Sequence, residues 1–480
     1  MLEPTKLAHP SGKIINITKA VFFCFLVSNF FILLYSAVFL RPAADDYVIG
    51  LVAAQHGAFG GIAHWWNTWS SFFTQIIMYN IFAGMPLAHL PFSIASAIPF
   101  LIVLGSTGFV ILSFYPKKIK SFYSKFSILV GGSLLWWFFL WTNNALVDKP
   151  KWITRIAELS THWQTCTTAY YLPPLLLLIF YAIFKKKNLK NAFAYYFLII
   201  FAGFFIGVAG DMVAAAFFGF GLLASGYCHW YGKYHNNKRQ YAKHWFIFTF
   251  SVLFFCFASH FLSPGRAIRY DVIAADPNLL TFSSLPSLSG LLELLTSTVT
   301  QACKHLFKGV MHLGSLLILS LTASISYLSE STSADNDTTQ KECLHLCGAF
   351  CLLALVMAGA SGLAENFVYK AYWHFSRSTL FSFFSIVFFG IFLGLYARSK
   401  TTRLNTLAIG ILLASLLVGT YVNQFALEHI SEREKRWAVG PASSENISDI
   451  DSPDLGWGEY WIELNKLRPD YTEREKNSRN

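Results

Sequence analysis

The sequence predicts an all-α polytopic membrane protein with about eleven transmembrane helices, ten to twelve at the bounds. Three observations carry that prediction. Only 13% of the 480 residues are charged and 54% are hydrophobic, where soluble domains carry about 25% charged residues. Apolar runs long enough to cross a bilayer recur along the whole chain. Short basic clusters alternate with longer loops of mixed charge, as the positive-inside bias requires of a multi-pass chain.

The elements follow in order. Residues 1–20 are polar, and Lys6, Lys13 and Lys19 precede the first apolar run, 21–40. No small-residue cleavage site follows, so this run reads as an uncleaved first span behind a cytoplasmic N-terminus. Further runs lie at 92–114, 126–142, 165–184, 192–208, 212–230, 245–262, 307–328, 343–361, 378–396 and 404–427. The connections around Lys117, Lys185, residues 233–243 and residues 398–403 are short and basic, which assigns them to the cytoplasm. Residues 329–341 share that side by alternation although they carry Asp335 and Asp337. The loops 41–91, 143–164, 263–306 and 362–377, the hairpin at Asp211 and the tail 428–480 then face outward. The membrane domain is 21–427. The tail is too small to fold alone and is expected to pack on the outer face.

Composition also excludes functions. The net charge of +11 is spread over short inter-span clusters, which argues for topology and against nucleic acid. Most of the eight cysteines lie inside apolar runs and read as thiols. Cys343, Cys347 and Cys351 share a helix face without the acidic or His partners of a closed metal site. There is no phosphate-cradling glycine loop, zinc signature or nucleophile elbow.

The unusual residues gather in the outward loops. Asp45 and Asp46 stand together where the first span leaves the bilayer, and charge so close to hydrocarbon is costly. After them residues 46–79 read as two short interfacial helices, with a break at Gly60-Gly61 and with Trp65 and Trp69 one turn apart. A membrane-anchoring belt explains those Trp rings, and so does a sugar- or lipid-contacting surface. Arg155, Glu158 and His162 share a helix face at i, i+3 and i+7. An exposed ion pair with a neighbouring His fits that spacing as well as a site does. Asp211 interrupts an otherwise uncharged stretch. In 263–269, Ser-Pro-Gly-Arg-Ala-Ile-Arg, a forced turn projects Arg266 and Arg269 at headgroup depth, where a guanidinium fork suits phosphate. Snorkelling to lipid headgroups is the plainer reading. His374 and Arg377 stand before the tenth run among interfacial aromatics.

These motifs resemble the GT-C superfamily of polyprenyl-phosphate-dependent glycosyltransferases. The acidic pair with Tyr47, the Tyr-Leu-Pro-Pro entry at 171–174 and the turn at 263–269 are similar to a bacterial branch with an Asp-Asp-Tyr first loop and a Pro-Gly-Asn-x-x-Arg turn. Arg266 stands where that branch has Asn. The plan of spans, long first outer loop and outer tail also resembles serotype-converting O-antigen glucosyltransferases. The resemblance implies a GT-C-like fold in a bacterial inner membrane with a periplasmic site. It implies transfer of a sugar, glucose being one candidate, from a polyprenyl phosphate to a glycan such as O-antigen, with inversion. In that mechanism Asp45 is the base and Asp46 its rival. Arg266, Arg269, Arg377 and Arg155 hold the departing phosphate. His162, Glu158, Asp211, Trp65, Trp69 and His374 meet sugar or acceptor. No cofactor is required, though a divalent metal at the acidic pair is compatible. A flippase or transporter of lipid-linked saccharide predicts midplane charges and internal symmetry, which the sequence lacks. An O-antigen ligase predicts its Arg and His in one late loop.

Overall fold

The computed structural model describes residues 12–40, 46–70, 72–115, 122–146, 167–186, 192–232, 239–265, 288–310, 313–328, 333–367, 375–401 and 404–439. Among these there are helices and connections and no strand. The helices are α1 Gly12–Val38, α2 Asp46–Thr68, α3 Phe73–Tyr79, a π-helical turn π1 Asn80–Gly84, α4 Met85–His89, α5 Phe92–Phe114, α6 Phe122–Leu146 and a second π-helical turn π2 Thr167–Tyr171. They continue with α7 Leu172–Lys186, α8 Ala192–Gly207, α9 Asp211–Gly232, α10 Arg239–Leu262, α11 Leu288–Val310, α12 Leu313–Leu328, α13 Ser333–Phe367, α14 Phe375–Lys400 and α15 Asn405–Val439.

The chain is an α-helical polytopic membrane protein. Among the described residues, eight helices are long and apolar enough to cross a membrane, in α1, α5, α6, α9, α10, α13, α14 and α15. Three of the expected runs form shorter apolar helices, Leu172–Ala182, Phe193–Gly207 and Leu313–Leu328. Two boundaries differ from the sequence reading. The run expected from 307 is divided between α11, described to Val310, and α12, described from Leu313. Helix α15 continues to Val439, so the first part of the expected tail extends the last helix instead. The remainder of the tail, 440–480, lies outside the described residues.

The bundle is organised around α6 and α14, the two spans with the most buried windows. Trp136, Trp137, Phe138, Phe139 and Trp141 of α6 and Phe381, Phe383, Phe384 and Phe388 of α14 are all fully buried. A helix apolar on every side is what an interior position requires. The Trp136 ring meets Phe383 at 5.0 Å, edge to face, an arrangement favoured by the ring quadrupoles.

Close contacts between neighbouring helices fall at small residues, as expected where lipid supplies no hydrophobic drive between helices. In α8, Gly203 and Gly207 are four apart and lie on α10. A Cβ on Gly207 would stand 2.6 Å from the Val252 carbonyl oxygen. Gly390 and Gly394 of α14 repeat this against α12, where a Cβ on Gly394 would meet Ser326 Cβ at 2.8 Å. Polar side chains add hydrogen bonds inside the bundle. Trp137 Nε1 donates to Asn423 Oδ1 at 3.0 Å, and Asn423 Nδ2 donates to Asn29 O at 2.9 Å and Asn29 Oδ1 at 3.0 Å. That network ties α1, α6 and α15 together.

Candidate functional site

Asp46 opens α2, and its carboxylate sits in the first turn, where the helix dipole favours negative charge. It is 0% exposed and engaged with its surroundings. Its partner in the acidic pair, Asp45, lies outside the described residues. A buried carboxylate demands compensation by hydrogen bonds or charge, so Asp46 is built into the fold and is not a solvated cap.

The rest of α2 differs from the expected pair of helices in where it breaks. The kink is at Gly57, with φ 70° and ψ −171°, a conformation open almost only to glycine. Gly60 and Gly61 are helical. The reason they are glycine is contact: a Cβ on Gly61 would lie 2.6 Å from Asn80 Oδ1. Asn80, at the start of π1, is fully buried and donates through Nδ2 to Ala58 O at 2.7 Å, just beyond the kink. Sequence reasoning missed Asn80; the signal was a lone amide inside the apolar stretch 76–84.

Beyond the kink, Trp65 packs edge-on against Tyr79 at 5.7 Å and Trp66 against Phe73 at 5.9 Å. Trp65 and Trp66 lean on a small core of Ile49, Ile76, Tyr79 and Ala169. The two expected contact rings therefore part company. Trp65 is wedged among its neighbours, while Trp69 is 38% exposed. His56 and His64 stack across the kink with ring centroids 5.0 Å apart. Burial, and secondarily the neighbouring His56, push His64 below the usual histidine value.

Three later segments dock on this first-loop assembly. The π2 turn contributes Ala169 to the small core. The end of α8 is held by Thr74, whose backbone N–H donates to Val208 O at 2.9 Å and whose Oγ1 donates to Phe205 O at 2.9 Å. Gly210, at φ 135°, then turns the chain beside Gln75 into α9. The turn after α10 is held by Ser263 Oγ, which donates to Trp66 O at 3.0 Å and Ser70 O at 3.1 Å. Gly265 follows so closely that a Cβ there would stand 2.8 Å from Trp66 O.

The segments that dock are those leading into expected site residues: Arg266 follows Gly265, and Asp211 follows Gly210. Arg155, Glu158, His162, Arg266, Arg269 and His374 themselves lie outside the described residues. So do the side chains of Asp211, at the start of α9, and Arg377, in the first turn of α14. The described geometry joins α2 and α3 to the turns at 208–210 and 263–265, which precede Asp211 and Arg266 in the chain. Among the described residues no group of three or more His, Cys, Asp or Glu side chains could hold a metal ion. Cys347 Sγ stands 3.5 Å from Ser385 Oγ; of its two companions, Cys343 is buried and Cys351 exposed.

No family model, no curated protein and no solved structure matches this chain.

Proposed function

We propose that the chain is a GT-C-type membrane glycosyltransferase. It moves a sugar from a polyprenyl-phosphate donor to a periplasmic glycan such as O-antigen, at the outer face of a bacterial inner membrane. The three shorter apolar helices are taken as spans beside the eight longer ones, and with the basic N-terminus on the cytoplasmic side the first loop faces outward. The observation that carries the reading is Asp46. A carboxylate is enclosed at the head of the first-loop helix, in an assembly built on the turns that lead into Arg266 and Asp211. That is the economy of a site assembled from single residues on separate loops.

The chemistry is one displacement. An acceptor hydroxyl oxygen bonds to the anomeric carbon as the bond from that carbon to the phosphate oxygen breaks, with inversion. The hydroxyl proton goes to a carboxylate within hydrogen-bond reach, and the bonding pair leaves with polyprenyl phosphate. The donor ester is already activated, so no nucleotide is consumed. The enclosure of Asp46 favours Asp45 as the base and makes Asp46 a positioning residue. Charge developing on the departing phosphate is met by preorganised cations, for which Arg266 and Arg269 lead, with Arg377 and Arg155 behind them. Trp69, with its exposed ring, suits a sugar face better than the wedged Trp65. Asp211, His162, Glu158 and His374 are the polar groups left to address sugar hydroxyls.

The test uses purified full-length protein with polyprenyl-phosphate glucose and an O-antigen acceptor. Asp45→Asn is expected to lose turnover by about a hundredfold or more while membrane insertion persists. Asp46→Asn should lose activity together with thermal stability. Full activity in both variants would sink the assignment. So would translocation of the donor across the bilayer with no glycan product, which would return the transporter reading.

A further inference from the structure

Helices α8 and α10 present an unusual lipid-facing surface. On α10, Phe246, Phe250, Phe254, Phe257 and Phe261 recur at helical spacing and are each more than half exposed, up to 85% at Phe261. On α8, Phe193 and Phe197 do the same, and Phe201, one turn on, is 44% exposed. The glycines at 203 and 207 bring the two helices close enough for the rows to join. Phe197 stacks on Phe201 at 6.4 Å, Phe201 meets Phe204 at 6.3 Å, Phe204 meets Phe255 edge to face at 5.0 Å, and Phe255 meets Phe254 at 5.2 Å. The result is one continuous aromatic surface over two helices. Along α10 it runs about 22 Å, fifteen residues at 1.5 Å each. It ends where Ser263 is hydrogen-bonded to the first loop, one turn before Arg266 in the chain.

We infer that this surface holds the isoprenyl chain of the lipid-linked donor. The inference rests on the glycosyltransferase reading, and it locates the part of the substrate which that reading leaves unplaced. Ordinary acyl lipid needs only apolar side chains, and flexible Leu serves it as well as Phe. A methyl-branched, polyunsaturated chain carries a flat C=C unit every few carbons, and such units lie against the faces of a continuous set of rings. The surface is also continuous with the first-loop assembly. A chain lying on α10 therefore brings its phosphate to the turn at 263–265.

The experiment measures binding of sugar-free long-chain polyprenyl phosphate, and of dioleoyl phosphatidic acid as a phosphate-bearing acyl control, to the full chain in phosphatidylcholine nanodiscs. The native chain is expected to prefer polyprenyl phosphate by about tenfold or more. The triple variant Phe250→Leu, Phe254→Leu, Phe257→Leu should remove most of that preference. Leu413→Ala with Leu417→Ala, exposed on α15, should leave it intact. A benzophenone side chain in place of Phe254 should photo-crosslink to polyprenyl phosphate, which reads the contact even if the triple variant folds poorly. Equal affinity for the two lipids in the native chain would overturn the proposal and mark the surface as ordinary lipid contact. So would protein-to-protein adducts from position 254, which would mark it as an interface with a second copy. Sugar transfer is scored separately. Binding without transfer removes the enzyme reading and keeps the surface, whereas transfer with unchanged donor KM in the triple variant does the reverse.

Discussion

At the scale of single residues, the first loop is shaped by a few unforgiving positions. Gly61 and Asn80 press together, so Gly61→Ala is expected to cost about 1–3 kcal/mol in the native chain. In an Asn80→Ala background the same change should cost markedly less. A double-mutant cycle by thermal unfolding in detergent checks this, and additive losses would remove the contact from the explanation. His64 gives a pH prediction. Its folded value is depressed, first by burial and then by His56, relative to an unfolded histidine near about 6.5. Its contribution to stability is therefore complete above that value and is lost as pH falls below it, because the unfolded chain takes up the proton first. Histidine-selective NMR should find His64 titrating below 6.5, rising partway towards it in His56→Gln while burial persists. A midpoint at or above 6.5 in the native chain would contradict the arrangement. The acidic pair was legible in sequence because charge at a span exit stands out. The enclosure of Asp46 was not, since burial depends on what later packs over it. Asn80 and Ser263 were illegible for the same reason: an amide or hydroxyl declares its role only once its distant partner is known.

At the scale of elements, the assembly depends on hydrogen bonds between segments far apart in sequence. Ser263 spans almost two hundred residues to reach Trp66 and Ser70. Ser263→Ala removes both bonds from a buried site, an expected loss of about 1–3 kcal/mol. Hydrogen exchange should then accelerate selectively around residues 66–72 and 260–265, while the α12–α14 pair stays protected. Uniform exchange at both places would show that the turn is held by packing alone. The break in α2 illustrates how an element can be half legible. Glycine clustering announced a broken segment, but the expected break at Gly60-Gly61 falls at Gly57 instead. Only Gly57 of these three has the positive φ; Gly61 is there for its contact with Asn80, and Gly60 lies close to His56 of its own helix. The paired glycines of α8 and α14 carry a readable small-residue spacing that marks close helix contacts, although the spacing alone does not say which helix approaches.

For the whole molecule, the polar network of Asn29, Trp137 and Asn423 joins the first and last long spans across the central helix. Asn423→Leu keeps approximate size while removing the amide that serves both partners. Since hydrogen bonds between membrane helices average about 0.6 kcal/mol and reach about 1.7, the variant should lose about 1–3 kcal/mol in reversible unfolding measurements. An unchanged midpoint would make the network incidental. The sequence by itself determined that this is a helical chain made for a bilayer, where most of its spans lie, and which loops carry charge that needs explaining. It could do so because lipid imposes length and apolarity on every crossing, and both are local properties of the chain. Tertiary structure alone decided that α6 and α14 form the interior, since an interior span and a lipid-facing one are equally apolar. It alone decided that the late turns at 208–210 and 263–265 close on the first loop. Those contacts are made by single hydroxyls, amides and missing Cβ atoms, and their meaning lies in a partner a hundred or more residues away.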